Sequence, residues 1–141
     1  MNPKRIIIAI IAGFIFIFMS DFLIHGLWLK SDYAATASLW RTEAEMTSRM
    51  PWMFGGELLG VVTFVMIYAG GFADRSKGPA CGAIFGFFMG LFTQAYTLIM
   101  YVVSPMPLSL SVKWFVSGLI QAVLLGVITF LVYKPLPSTA K

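Results

Sequence analysis

The sequence predicts an all-α, polytopic membrane protein: a four-helix bundle with an amphipathic interfacial helix in its first outer loop. Three observations predict it. The chain is 59% hydrophobic and only 11% charged, against roughly 25% charged in soluble domains. Four apolar runs approach the ~20 residues that a helix needs to cross a bilayer. Lysine and arginine flank those runs, where they set topology. With 141 residues, the chain has room for a single domain. The lipid bilayer is its expected partner, and nucleic acid is not.

The first span is expected over Ile6–Leu29. Lys4 and Arg5 precede it as in a signal peptide, but the apolar run outlasts a signal h-region and no A-x-A site ends it. It therefore reads as an uncleaved helix. The second span is expected over Trp52–Phe72, with Pro51 at its entrance, where a helix tolerates proline. The third covers Pro79–Val103 and stops at Ser104-Pro105-Met106-Pro107. The fourth covers Trp114–Tyr133 and stops at Lys134-Pro135. Isoleucine, valine and phenylalanine are poor helix formers in water. In lipid the backbone must satisfy itself, so the helix prevails. Lys4, Arg5, Arg75, Lys77, Lys134 and Lys141 fall on one side, and Lys30, Arg41, Arg49 and Lys113 on the other. The bias puts both termini in the cytoplasm.

The loop from Lys30 to Met50 repeats Tyr33, Ala37, Trp40 and Ala44 at helical spacing, opposite Arg41, Glu45 and Ser48. This pattern predicts a short helix lying on the outer surface, with Tyr33 and Trp40 at headgroup level. Gly78, Gly82, Gly86 and Gly90 recur every fourth residue. Gly118, Ala122 and Gly126 form a second small row, and Gly56 and Gly60 a third. Such rows let helices approach closely. Packing within one bundle is the favoured reading, with a homodimer or larger membrane complex as the alternative. Leu58–Phe64 also matches Leu124–Phe130 at six of seven positions, which points to a 2+2 repeat.

Chemistry centres on Ser20–Trp28, read SDFLIHGLW. Asp21 and His25 lie four residues apart, on one helical face. Ionisable groups at membrane depth are costly and face a partner, a cavity or a pathway. Counting residues from the outer ends places Asp21, His25, Glu57, Gln94, Thr97, Tyr101, Ser117 and Gln121 in the outer half, above an almost wholly apolar inner half. A polar pocket that opens outward follows if these faces point inward. Three uses compete for it. The favoured one is structural hydrogen bonding that fixes which helices are neighbours. The second is binding or transport of a proton, cation or small polar solute. The third is metal or catalysis, for which one histidine and two carboxylates need a completing ligand. Met46, Met50 and Met53 suit Cu(I) but read first as packing residues. The single cysteine, Cys81, permits no internal disulfide and no CxxC site. No P-loop, dinucleotide fingerprint, HExxH or nucleophile elbow occurs. No cofactor is expected, and a non-enzymatic role is favoured.

The chain resembles the small four-span bacterial membrane proteins grouped as domains of unknown function. The likeness rests on Asp21 and Trp28-Leu29 near the end of the first span, Tyr33, and Leu39-Trp40-Arg41. It also rests on Gly86, Gly90, Tyr96 and Tyr101 in the third span and Trp114 at the fourth. The resemblance covers nearly the whole chain. It implies a multi-pass protein of the bacterial inner membrane and carries no activity. The resulting expectation is an accessory or small-solute-handling component; the alternative is a proton- or cation-coupled transporter or metal-binding protein using Asp21, His25 and Glu57.

Overall fold

The computed structural model describes residues 2–73 and 77–133. Arg75, Lys134 and Lys141, used above in the charge bias, lie outside them. Among the described residues there are helices and no strands. Helix α1 (Pro3–Asp21) starts at Asn2, whose side chain accepts the Arg5 N–H, with Pro3 in the first turn. It continues as a π-helix over Phe22–Trp28, closed by the Leu29 N–H donating to the Ile24 carbonyl at 2.8 Å. Helix α2 is short (Lys30–Ala35). Helix α3 (Glu43–Ile67) runs on as a π-helix over Tyr68–Phe72. Helices α4 (Pro79–Val103) and α5 (Leu108–Val132) follow. Four helices, Pro3–Trp28, Glu43–Phe72, Pro79–Val103 and Leu108–Val132, are long and apolar enough to cross a membrane.

The third expected span keeps its bounds, and the other three start earlier than expected, the first at Pro3 and not Ile6. Helix α3 begins at Glu43 because Thr42 and Glu45 form a reciprocal capping box, which satisfies free N–H groups at the start. Pro51 therefore sits inside a helix and not at its entrance. Helix α5 begins at Leu108, directly after Pro107. The loop periodicity does not run through one helix. It is divided among α2, a 3-10 turn at Ala37–Leu39, an extended Trp40, and the first turns of α3, which take Ala44, Glu45 and Ser48. Trp40 leaves the helical path, its indole N–H donating to Thr36 Oγ1 at 2.9 Å.

Helix α1 lies between α3 and α5, and α5 packs along α4. A methyl group on Gly13 would meet Val61 and Leu125 side chains, both at 2.9 Å. The α4–α5 contact is closer still, backbone to backbone. A Cβ on Gly82 would meet the Gly126 carbonyl at 2.5 Å, and one on Gly86 would run into the Ala122 carbonyl. Gly90 meets Leu119 and Ala122. Gly78, Gly56 and Gly60 depart from their rows, since added Cβ atoms there would meet nothing within 4 Å.

Two apolar clusters define the ends. One joins Ala9, Val61, Phe64, Val65, Tyr68, Phe85, Leu125 and Tyr133. It lies where the chain begins and where the described part ends, and Asn2 N–H donates to Tyr133 Oη at 3.3 Å. The other joins Leu29, Met106 and Leu110 under Tyr33, Trp40 and Trp114; this is called the loop end below. Towards the loop end α3 loses neighbours: residues 43–60 are exposed except for half-exposed Glu57. The repeated heptapeptides sit in unlike settings. Leu125 and Thr129 are buried, whereas Leu59 and Thr63 are exposed.

Candidate functional site

Candidate site side chains collect at the loop end because α1, α4 and α5 each turn polar residues towards the same space. On α5, Trp114, Ser117, Gly118 and Gln121 recur at three and four residues, one face of a helix. Gln94 and Thr97 do the same on α4. With His25 they line a cavity of about 150 Å³ open to the surface. That is well above the ~30 Å³ liquid share of one water. It lies above the glycine contact between α4 and α5, where backbones touch and leave no room.

Asp21 does not line the cavity; it holds one of its walls. The Gln121 side-chain amide donates to Asp21 Oδ1 at 2.7 Å and to Ser20 Oγ at 2.8 Å. Both amide hydrogens are thereby used, which fixes the amide's orientation, because a carboxylate accepts and cannot donate. His25 turns towards α2 and α5. Its Nδ1 meets Tyr33 Oη at 2.5 Å, and the Trp114 indole N–H donates to the same Tyr33 oxygen at 2.9 Å. The tautomer that leaves no phenol hydrogen unpaired puts the tyrosine proton on Nδ1 and the ring's own hydrogen on Nε2. The His25 and Tyr33 rings stack at 6.0 Å, with Trp114 edge-on to His25 at 6.1 Å and Trp40 edge-on to Tyr33 at 5.6 Å.

Helix α2 is bound down by charge. Lys113 Nζ donates to both Asp32 carboxylate oxygens, at 2.7 and 2.8 Å, and lies 5.9 Å from the Trp28 ring centre. Tyr33 is held among these groups. Burial pushes its phenol pKa up to about 12; the Asp21 and Asp32 charges add to the rise, and the Trp114 hydrogen bond works against it.

Hydrogen bonds do not link Asp21, His25 and Glu57 to one another among the described residues. Asp21 pairs with Gln121 and His25 with Tyr33. Glu57 lies on α3 with its Oε2 buried and unpaired among the described residues. Among the described residues no three His, Cys, Asp or Glu side chains are placed to share a metal ion. Tyr101 shares the Gln94 face but is exposed and stays outside the cavity lining. Gln94 Oε1 accepts from Thr97 Oγ1 at 2.7 Å, and the Gln94 amide rests directly over Gly118, which leaves that glycine no space for a side chain.

Sequence reasoning missed Trp114 as a wall, Ser20 as a second acceptor for Gln121, and the Lys113–Asp32 pair. Trp114 carried a signal: it shares the helical face of Ser117 and Gln121. The other two join residues 81 and 101 positions apart, which no local pattern records. Comparisons with protein-family models, with curated proteins and with solved structures found no match.

Proposed function

We propose that this chain is a non-enzymatic, multi-pass protein of a bacterial inner membrane that binds a small polar solute at its loop end. The carrying observation is the cavity lined by His25, Gln94, Thr97, Ser117 and Gln121, placed above an apolar core. Several polar side chains converge on this one concavity, and convergent polar groups are what orient a bound ligand. In this reading the spans form a four-helix bundle with both termini in the cytoplasm. Lys4, Arg5 and Lys77 support that orientation, and the cavity then faces outward. Helix α2 and the following turn lie at the interface, with Tyr33 and Trp40 at headgroup level.

The open loop-end half of α3 favours a second reading beside the first, that of an accessory subunit. Trp52 is 84% exposed there and the Gly55, Gly56 and Gly60 positions are free of neighbours. That half suits close approach by another membrane helix.

Saturation-transfer NMR on the protein in nanodiscs, against a mixture of small amides, polyols, amino acids and ions, tests the first reading. Transfer to at least one solute is expected, and Thr97→Phe, which fills the cavity, should remove it. No transfer to any solute, or transfer unchanged in Thr97→Phe, overturns it.

A further inference from the structure

The cavity's hydrogen-bonding inventory narrows the class of solute, and this step rests on the binding reading above. Each lining group has part of its capacity already used. Gln121 Nε2 gives both hydrogens to Ser20 and Asp21, so its Oε1 remains as an acceptor. Ser117 Oγ donates its hydrogen to the Lys113 and Trp114 carbonyls, and Thr97 Oγ1 donates its own to Gln94 Oε1. Both hydroxyls keep only acceptor capacity. The Trp114 indole N–H is taken by Tyr33. Two donor groups are left, the Gln94 Nε2 hydrogens and, in the tautomer assigned above, the His25 Nε2–H; among the described residues neither is taken by a protein acceptor.

The free set is thus mixed: donors from Gln94 and His25, acceptors from Gln121, Ser117 and Thr97. Among the described residues, those lining the cavity include no carboxylate, lysine or arginine. Asp21 stays outside the lining, and its Oδ1 is engaged by the Gln121 amide. An ion would enter without a contacting counter-charge, at membrane depth, where that is costly. A molecule with a carbonyl and N–H groups side by side satisfies both halves of the set.

We propose that the cavity takes a small, uncharged, amide-type solute, its carbonyl oxygen on the Gln94 and His25 donors and its N–H groups on the Gln121, Ser117 and Thr97 oxygens. Three isosteric probes test the class: acetamide, acetate and acetamidinium, each against the protein in nanodiscs by saturation-transfer NMR. Acetamide alone should show transfer. Gln94→Glu, which replaces the donating amide by an accepting carboxylate, should weaken acetamide about tenfold, the scale of a lost hydrogen bond. Circular dichroism of that variant reports its fold, and Thr97→Val, which removes one acceptor with little change of shape, should weaken acetamide less. Acetate or acetamidinium binding as well as acetamide, with that signal lost in Thr97→Phe, overturns the uncharged class while leaving the cavity as a site. Transfer from none of the three, with another solute in the mixture still binding, overturns the amide class alone. Transfer from no solute of any kind removes the binding reading itself.

Discussion

The Gln121 side-chain amide donates to Asp21 Oδ1 at 2.7 Å, joining α5 to α1 across a hundred residues of chain. Among the described residues the Asp21 carboxylate is bonded at Oδ1 by a neutral amide, and such a bond offsets part of the cost of a polar group inside an apolar helix. Hydrogen bonds to charged groups are worth about 1.5–3 kcal/mol. Gln121→Leu should therefore destabilise the protein by about 1–3 kcal/mol, and the double variant Gln121→Leu with Asp21→Leu should recover part of the loss. Thermal unfolding in detergent measures both. Equal stability of wild type and Gln121→Leu would show that the bond carries no energy.

The α4–α5 contact predicts an asymmetry among glycines. A side chain on Gly86 meets the fixed Ala122 backbone, so the helices must part. Gly86→Leu should cost about 1–3 kcal/mol or more from overpacking. Gly60→Ala meets nothing within 4 Å and should leave the monomer as stable as wild type. A Gly86→Leu protein with an unchanged melting temperature contradicts the packing described here. Loss of a dimer on Gly60→Ala, seen by cross-linking, would assign the open face of α3 to a partner copy.

Tyr33 predicts behaviour at alkaline pH. Its folded pKa, about 12, lies above the ordinary value of 10.0. The un-ionised phenol is thus favoured by folding. Its stabilising contribution is whole below pH 10.0 and is lost as pH rises from there through about 12. The phenolate absorbance of wild type minus Tyr33→Phe should have its midpoint near 12. Because the Trp114 bond lowers the value, Trp114→Phe should move the midpoint higher. A difference titration centred on 10 would mean that the phenol is open to water.

Lys113 and Asp32 form a part-exposed pair, with side-chain exposures of 35% and 22%. Pairs of this kind are worth about 0.2–1 kcal/mol. A double-mutant cycle with Lys113→Ala and Asp32→Ala should return a coupling in that range, falling as salt is raised. A coupling of zero at low salt would mean that α2 is held by Tyr33 and Trp40 alone.

Composition and patterning by themselves determined that there are four long apolar helices. Apolar runs near twenty residues, ended by prolines or charges, leave the backbone no other way to satisfy itself in lipid. The expected bounds of the third helix coincide with Pro79–Val103, since Gly78-Pro79 and Ser104-Pro105 mark both ends. The start of α3 was also legible in Thr42-x-x-Glu45, but the stronger apolar pattern after Pro51 drew the boundary inward.

Tertiary structure alone decided how the polar residues are shared out. Four-residue spacing placed Asp21 and His25 on one face, yet their partners come from α5 and α2, and Glu57 joins neither. The π-helix over Phe22–Trp28, which carries His25, has no signature in its residue types. Likewise Gly86 and Gly60 read alike in the sequence, and only the order of neighbours, α3 beside α1 and α1 beside α5, separates a close-packed glycine from an open one. Helical periodicity specifies which residues share a face. Which face meets which is settled by packing and by hydrogen bonds between distant residues, and these have no period along the chain.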